Sequence, residues 1–343
     1  MRIGVLTGGG DCPGLNATIR AIVRKSIGGY GHEVFGIRDG WKGLVDGDLF
    51  QLTHLDVGGI IRKGGTILGT SRTNPYNDDH AIKSVKANIE KFKLDAIVAI
   101  GGDDTLGVAT KLTEEGIPCV GVPKTIDNDL SATDSTFGFD TAVSIAVEAI
   151  DRLTTTAESH HRTMVVEVMG RHAGWIALHS GIAGSADCIM LPEFEMSIQE
   201  VVDIINNRKE AGKKFHIIVV SEGALIGGGD DALTKDDSLD EFGHVRLGGV
   251  GEYVGREVGK KTGDEIRTVV LGHTQRGGPP TAYDRMLATR FGIAAAEYIN
   301  EGKFGVMAAL RGTEIVPVPL ADATSELKLV PPELYELAKT FFN

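Results

Sequence analysis

Short apolar runs alternate with longer amphipathic stretches along most of this chain. The runs at Arg2–Leu6 and Glu33–Ile37 predict strands, and the stretch at Asn16–Ile27 between them predicts a helix. Later strands are predicted at 96–100, 118–122, 163–169, 187–191, 216–221 and 267–271, and later helices at 78–91, 106–115, 139–156, 175–182, 198–211, 252–261 and 283–300. Runs this short and apolar are typical of strands buried on both faces of a parallel sheet. The pattern predicts an α/β fold with mostly parallel, doubly wound sheets, and the series after Ser135 predicts a second lobe.

Residues 224–249 interrupt this alternation. They begin with a glycine run and continue as polar, acidic sequence. A stretch of this length without apolar periodicity predicts a surface excursion, such as a hairpin or a lid.

Composition excludes several functional classes. The chain carries a net charge of -12 at pH 7, which argues against a nucleic-acid partner. Its three cysteines are too scattered for a disulfide framework or a zinc site, so we expect reduced thiols in the cytoplasm. No apolar run approaches the roughly 18 residues of a membrane span, and the N-terminus lacks the apolar core of a signal peptide. We therefore expect a soluble protein that is not processed and has no membrane partner.

Two acidic runs each follow a predicted strand. The first is Gly101-Gly102-Asp103-Asp104-Thr105, and the second is Pro123-Lys124-Thr125-Ile126-Asp127-Asn128-Asp129. The carboxyl ends of strands in open α/β sheets are where ligands bind, and aspartates are the hard oxygen ligands that Mg²⁺ takes beside substrate phosphates. One carboxylate of the second run could accept a hydroxyl proton as a general base. The alternatives are helix capping by the first run and an Asx-rich turn in the second.

Two glycine loops accompany these runs. Gly8–Asn16 follows a strand and opens a helix, a position where backbone N–H groups favour a phosphate. Gly64–Arg72 ends in a guanidinium that could hold transferring phosphate oxygens. Neither loop has the spacing of a nucleotide-binding fingerprint, so a tight turn and a surface arginine remain alternatives.

The second lobe contributes cationic and polar residues near predicted strand ends. Guanidinium groups suit phosphate and a carboxylate suits hydroxyls, so this set predicts a sugar-phosphate site. Singly, each charge could equally form a surface ion pair. The candidates are Arg162, Met169, Gly170, Arg171, Glu222, Arg267, His273 and Arg276.

These motifs together resemble the phosphofructokinase family across nearly the whole chain, in order and at closely matching spacing. They are Gly8–Asn16, Gly64–Arg72, Gly101–Thr105, Pro123–Asp129, Val168–Arg171, Ser221–Gly223 and Leu271–Gly278. The resemblance implies a two-lobed phosphofructokinase-like fold, each lobe a mostly parallel sheet flanked by helices. Residues 1–138 with about 252–305 would form the larger, phosphoryl-donor lobe. Residues 139–251 with about 306–343 would form the smaller, sugar-phosphate lobe.

The resemblance implies phosphoryl transfer to the 1-hydroxyl of fructose 6-phosphate. In that pattern Asp127 is the general base, Asp103 binds Mg²⁺, and Asp129 supports both. Gly9, Gly10 and Arg72 would bind the diphosphate. The implied sugar-phosphate contacts are Thr125, Asp127, Met169, Gly170, Arg171, Glu222, His273 and Arg276. Arg162 and Arg267 would reach the site from a neighbouring subunit, which implies a homodimer or homotetramer.

Two positions indicate which phosphoryl donor is used. ATP-using members usually carry glycine where this chain has Asp104, and commonly glycine again at Lys124. The pairing of Asp104 with Lys124 is similar to the pyrophosphate-dependent branch. A carboxylate in place of glycine removes room and adds negative charge where a nucleotide would pass. A lysine would add a mobile cation for pyrophosphate or the departing phosphate. The implied reaction is reversible and serves glycolysis or gluconeogenesis.

Two alternatives remain open from the sequence. One is an ATP-dependent 6-phosphofructokinase that tolerates Asp104 and Lys124. The other is a non-catalytic sugar-phosphate sensor, which would be expected to lose Asp127 or Asp103. Allosteric control is predicted to be weak or absent, because His54 and Thr154 stand where the allosteric members have arginine.

Overall fold

The chain forms two units, each built around its own mostly parallel sheet. The computed structural model describes residues 1–227, 234–239, 245–247 and 249–342. Unit 1 comprises Met1–Ile126, Leu130–Asp140 and Arg276–Leu327, and unit 2 comprises Asp127–Asp129, Thr141–Gln275 and Lys328–Asn343.

The described elements include all the strands and helices that the apolar pattern predicts and several others, among them β3, β14 and β15. The strands are β1 (Arg2–Thr7), β2 (Glu33–Ile37), β3 (Leu49–Leu52), β4 (Ala96–Gly101), β5 (Cys119–Pro123), β6 (Thr163–Val168), β7 (Cys188–Met190), β8 (Met196–Ser197), β9 (His216–Ser221), β10 (Ile226–Gly227), β11 (Thr234–Leu239), β12 (Val245–Leu247), β13 (Ile266–Val270), β14 (Val306–Arg311) and β15 (Glu314–Pro319). The α-helices are α1 (Leu15–Tyr30), α2 (Trp41–Asp46), α3 (Asp79–Phe92), α4 (Asp103–Glu114), α5 (Phe139–His160), α6 (Trp175–Ala183), α7 (Ile198–Glu210), α8 (Val250–Thr262), α9 (Ala282–Asn300), α10 (Leu320–Ala323) and α11 (Pro332–Lys339). Short 3-10 helices lie at Ile60–Arg62, Pro75–Asn77 and Gly272–Arg276.

Unit 1, all of whose residues the structure describes, contains a seven-stranded sheet in the order β15-β14-β5-β4-β1-β2-β3. Its five central strands are parallel, and antiparallel β15 and β3 close the two edges. The central strands are the most apolar: every residue of β4 is buried, as expected for a strand covered on both faces. Helices α1 and α9 pack closely, and the Thr18 hydroxyl donates to the Ala288 carbonyl at 3.2 Å.

Unit 2 contains a four-stranded parallel sheet in the order β13-β6-β9-β7. Strands β6 and β9 are central and wholly buried, whereas β13 is an edge strand with exposed positions. Helix α7 begins with a capping box, in which Ser197 accepts from the Glu200 N–H and Glu200 accepts from the Ser197 N–H.

The sheet pairing gives different unit boundaries from those predicted. Residues 252–275 were assigned to the first lobe, but β13 pairs with β6 and belongs to unit 2. Residues 306–327 were assigned to the second lobe, but β14 pairs with β5 and belongs to unit 1. The alternation of apolar runs predicts strands but does not say which sheet each one joins.

The predicted excursion at 224–249 is only partly described. Within it, β11 and β12 pair in antiparallel register, in keeping with the predicted hairpin. Residues 228–233, 240–244 and 248 of this excursion lie outside the described residues. None of the helices in the described parts of the chain combines the length and hydropathy needed to cross a bilayer.

Candidate functional site

Three loops of unit 1 meet at the carboxyl edge of its sheet. They follow β1, β4 and β5, which are neighbours in the order β5-β4-β1. The Gly8 N–H donates to the Ile100 carbonyl at 3.0 Å, and the Lys124 N–H donates to the Gly101 carbonyl at 2.9 Å. Parallel pairing therefore brings the first glycine loop, the first acidic run and Lys124 to one place, whereas Asp127–Asp129 of the second run belong to unit 2.

The first acidic run differs from its prediction as a loop. Asp103 and Asp104 form the first turn of α4 and are exposed. Gly102 is the N-cap residue and makes no side-chain cap, so the aspartates do not cap the helix. Their carboxylates instead lie at the positive end of the helix dipole, which favours negative charge. That leaves their oxygens on the open side of the loop cluster.

Lys124 is buried, with 3% of its surface exposed. Its ammonium donates to the Gly10 carbonyl at 2.5 Å, which ties the loop after β5 to the loop after β1. Burial lowers the pKa of Lys124, and the nearby carboxylates of Asp11 and Asp103 oppose that shift. The expectation of a mobile cation is wrong for this structure, because the ammonium is held by a backbone carbonyl inside the unit.

Arg276 lies on the other side of the same glycine. A Cβ placed on Gly10 would lie 2.6 Å from the Arg276 Nη1, so only glycine lets the guanidinium approach this closely. The same Nη1 donates to the Asp11 carbonyl at 3.3 Å. Burial raises the pKa of the neighbouring Cys12 thiol to about 12, so this thiol is neutral. Two cations thus approach the backbone at Gly10, an arrangement that suits an anion.

The second glycine loop is attached to the first. The Gly9 N–H donates to the Ser71 carbonyl at 3.1 Å, and the Thr70 hydroxyl donates to the Gly9 carbonyl at 2.6 Å. Arg72 follows directly and is exposed. The structure therefore places Arg72 beside the loop that carries Gly9 and Gly10.

Asn16 is a residue of this cluster for which the sequence pattern predicts no separate role. Its amide nitrogen donates to the carbonyls of Lys63 and Gly64 at 3.1 and 3.2 Å, and its amide oxygen accepts from the Ile67 N–H at 2.8 Å. The side chain is buried, with 1% of the residue exposed. Its only sequence signal was its place at the end of the first glycine loop.

The sugar-phosphate candidates of unit 2 gather at the carboxyl ends of β6 and β9. Gly170 has a φ of 136°, and a Cβ there would lie 2.7 Å from the Ser221 Oγ. The Ser221 hydroxyl donates to the Gly170 carbonyl at 2.6 Å, and the Gly170 N–H donates to a Glu222 carboxylate oxygen at 3.4 Å. Met169 and Arg171 flank Gly170 in this turn. Ser221 was outside the predicted set and holds its central glycine.

The loop after β13 approaches the same turn. The Met169 N–H donates to the Gln275 amide oxygen at 3.4 Å, and Gln275 is fully buried. His273 lies in the same 3-10 helix as Gln275 and is exposed. The second acidic run contributes Asp127 and Asp129 to unit 2, both half-buried, whereas Thr125 just before them belongs to unit 1.

Arg162 and Arg267 lie at the opposite edge of the second sheet. They precede β6 and begin β13, and both pair with Glu265, at 2.9 Å for Arg162 and 2.5 Å for Arg267. The six residues of β6 separate this pair from Gly170, a distance of roughly 16–20 Å at about 3.3 Å per residue. Within unit 2, these two arginines are thus separated from the turn at Gly170.

The described residues contain no cluster of three or more His, Cys, Asp or Glu side chains suited to a metal. Asp103 still offers a hard carboxylate oxygen at the exposed edge of the loop cluster. Mg²⁺ commonly binds through one or two carboxylates, substrate phosphates and water, so this donor set fits Mg²⁺ held jointly with a phosphate ligand.

Comparison with known proteins gives a match over most of the chain. The model of a family described as Phosphofructokinase matches residues 2–299. A protein of Amycolatopsis methanolica named Pyrophosphate--fructose 6-phosphate 1-phosphotransferase is 61% identical over 344 residues, covering 100% of both chains. A Streptomyces coelicolor protein named ATP-dependent 6-phosphofructokinase 3 is 52% identical over 339 residues, covering 99% of each.

A solved structure gives the same match in three dimensions. The crystal structure of Pichia pastoris phosphofructokinase in the T-state superposes with a TM-score of 0.85 at 31% identity. The alignment covers 99% of this chain and 36% of that longer chain.

Proposed function

The chain belongs to the phosphofructokinase family, and on this premise we propose that it transfers a phosphoryl group from pyrophosphate to the 1-hydroxyl of fructose 6-phosphate. The products are fructose 1,6-bisphosphate and phosphate, and the reaction is reversible. The observation that carries the choice of donor is the contact of the Lys124 ammonium with the Gly10 carbonyl, together with Asp104 in the first turn of α4. The 61% identical relative that is named for pyrophosphate supports the same choice.

The unit 1 loop cluster is the proposed pyrophosphate site. Gly9 and Gly10 would contact pyrophosphate through their backbone atoms. Positive charge would come from Lys124, Arg276 and Arg72. Cations fixed by the fold before the substrate arrives stabilise developing phosphate charge without reorganising. Asp104 adds a carboxylate on the open side, where it opposes a larger anionic donor.

Members of this family generally use a divalent metal. We propose Mg²⁺ for this chain, held by Asp103 together with the phosphate oxygens. When bound, it would neutralise phosphate charge and orient the donor.

The proposed general base is Asp127, with Asp129 orienting it. A carboxylate within reach of the sugar hydroxyl accepts its proton as the oxygen attacks phosphorus. The proposed sugar-phosphate ligands in unit 2 are Met169, Gly170, Arg171, Glu222 and His273, and those in unit 1 are Thr125 and Arg276.

We propose a homodimer or homotetramer in the cytoplasm, without strong allosteric control. Arg162 and Arg267 lie at the edge of their sheet remote from Gly170, which supports the proposal that they serve a neighbouring subunit's site. The sugar-phosphate site of one chain would then be completed by a second chain.

Steady-state assays with pyrophosphate and ATP, each with fructose 6-phosphate and Mg²⁺, test the donor. We expect kcat/KM for pyrophosphate to exceed that for ATP by at least about a hundredfold, or 2.7 kcal/mol. The 52% identical relative named for ATP makes ATP dependence the second candidate, and comparable kcat/KM values for the two donors would favour it.

The double variant Asp104→Gly with Lys124→Gly tests the assigned pair. We expect it to lose pyrophosphate activity. Its control is Glu336→Gly with Lys339→Gly, an exposed pair on α11 whose charges lie 2.8 Å apart. If pyrophosphate turnover is unchanged in the Asp104→Gly, Lys124→Gly variant, the role assigned to Asp104 and Lys124 is wrong.

Asp127→Ala tests the base and also separates an enzyme from a sugar-phosphate sensor. We expect kcat to fall by at least about 10²-fold, the usual contribution of a general base. Binding of fructose 6-phosphate with no turnover in the wild-type protein would favour the sensor.

A further inference from the structure

The turn at Asp127–Asp129 has a backbone conformation that must be held in place. Asn128 has a φ of 53°, in the left-handed region that non-glycine residues seldom occupy. Asparagine tolerates this region better than most residues, but the turn still depends on its surroundings. Asn128 is buried, with 5% of its surface exposed. The conformation of this turn therefore determines the orientation of the flanking Asp127 and Asp129 side chains.

Lys328, 200 residues further along the chain, holds the turn by two hydrogen bonds. Its backbone N–H donates to the Asp129 carbonyl at 2.8 Å. Its ammonium donates to the Asn128 amide oxygen at 3.0 Å. Lys328 therefore binds both the Asn128 side chain and the Asp129 backbone.

Lys328 is itself fixed against helix α6. Its carbonyl accepts from the Trp175 indole N–H at 2.7 Å, and its ammonium lies 5.6 Å from the centre of a Trp175 ring, within cation–π range. Glu193 fastens the same segment, because its carboxylate accepts from the Gly174 N–H at 2.9 Å and from the Val330 N–H at 3.0 Å. The C-terminal segment thus links the turn to the start of α6.

We propose that Lys328 is a positioning residue for phosphoryl transfer, acting through Asn128 to aim Asp127 and Asp129. This inference rests on the proposed function of these carboxylates. Displacing a catalytic group by about 1 Å can cost on the order of 10²-fold in rate, so a contact that fixes this turn acts on turnover. The contacts of Lys328 described above are with the turn and with Trp175, so we expect its loss to affect kcat more than donor binding.

Lys328→Met tests the proposal, because methionine keeps an apolar stem over Trp175 and removes the ammonium. With whichever phosphoryl donor the wild type uses, we expect kcat to fall by about tenfold or more and the donor KM to change less than about twofold. Lys328→Arg keeps a charged donor and should recover most of kcat. The matched control is Lys339→Met, which removes an exposed C-terminal lysine paired with Glu336.

A double-mutant cycle isolates the contact with Asn128. Glycine accepts a positive φ but has no amide oxygen, so in an Asn128→Gly background Lys328→Met should lower kcat by less than about twofold. If Lys328→Met lowers kcat by the same factor in the wild-type and the Asn128→Gly backgrounds, Lys328 does not act through Asn128.

Amide hydrogen exchange supplies a readout that does not depend on any activity. In Lys328→Met the peptide containing Asp127–Asp129 should exchange at least about tenfold faster, while peptides from β4 and β6 stay unchanged. Faster exchange without a loss of kcat would overturn the catalytic part of the proposal, and unchanged exchange would overturn the anchor itself. A wild-type protein that does not use pyrophosphate refutes the proposed donor alone, since the exchange experiment still decides whether Lys328 holds the turn.

Discussion

Asn16→Ala should loosen the pyrophosphate loops without touching the reacting groups. The buried Asn16 amide makes three hydrogen bonds, to Lys63, Gly64 and Ile67, at the start of the second glycine loop. That loop continues to Arg72, the proposed diphosphate ligand. Removing the amide frees the loop and leaves two carbonyls and one N–H without their partner.

The expected loss of stability follows from the three bonds. Each hydrogen bond contributes about 0.5–1.5 kcal/mol net, so the variant should lose about 2–4 kcal/mol of unfolding free energy. At about 2–4 °C per kcal/mol for a unit of this size, the melting temperature should fall by about 5–15 °C. The KM for pyrophosphate should rise about tenfold, which corresponds to 1.4 kcal/mol. The KM for fructose 6-phosphate should change less than about threefold, because the hydrogen bonds of Asn16 are to the loop that leads to Arg72.

Asn88→Ala is the matched control for this variant. The Asn88 amide also donates to two successive carbonyls, those of Leu44 and Val45 at 2.9 and 3.0 Å, but it ties α3 to α2. Thermal melting and steady-state kinetics of both variants separate stability from donor binding. Both variants should have a lower melting temperature than the wild type, and only Asn16→Ala should raise the KM for pyrophosphate. Equal pyrophosphate KM values in the two variants would refute the role of Asn16 in supporting the donor loop.

Three further outcomes are expected. Gly170→Ala should raise the KM for fructose 6-phosphate at least about tenfold and change the KM for pyrophosphate less. The φ of 136° at Gly170 and the 2.7 Å from a Cβ there to the Ser221 Oγ leave no place for a methyl group. Steady-state kinetics with each substrate varied in turn measure both KM values. Glu167→Gln should lower the melting temperature by a few degrees, about 1 kcal/mol, because the buried carboxylate accepts from the Gly251 N–H at the positive end of α8, and calorimetry measures it. Burial, followed by nearby positive charge, lowers the pKa of His216 to about 4, so the unfolded chain takes up this proton first and stability falls as pH drops from about 6.5 to 4. Urea unfolding should show that the unfolding free energy of His216→Leu falls by roughly 3 kcal/mol less than that of the wild type over this pH range. If the two proteins lose unfolding free energy equally as the pH drops, the assignment to His216 is wrong.

Sequence patterns predicted the elements that carry the donor site because those elements are simple. Strands β1, β4 and β5 are short and mostly apolar and are followed by glycine- or aspartate-containing runs, which mark both the strand and its carboxyl end. The edge strands β3 and β15 were not predicted because their burial is mixed and they pair antiparallel, and the largely buried strand β14 was not predicted either. Sheet membership of β13 and β14 depends on pairing partners far along the chain, which a local pattern does not contain.

The supporting residues were missed for a related reason. Asn16 acts on residues about 50 positions away and Lys328 on a turn 200 positions away. A single asparagine or lysine carries no periodicity and no motif until the fold brings its partner close. By contrast, Asp103 and Asp127 stand beside strand ends in acidic runs, so their neighbourhood alone indicated phosphate chemistry.

Burial changes the meaning of the two residues that were predicted to select the donor. Charge alone suggests that Lys124 attracts pyrophosphate and Asp104 repels a nucleotide. Lys124 is already desolvated and fixed on Gly10 by folding, and a charge in such a low-dielectric position interacts strongly with a nearby anion. Asp104 is exposed, where salt and water screen its charge, so repulsion of a distant nucleotide charge contributes little and occupied volume contributes more. We therefore expect Lys124 to supply most of the attraction for pyrophosphate, and Asp104 to exclude ATP mainly by taking the space that glycine would leave.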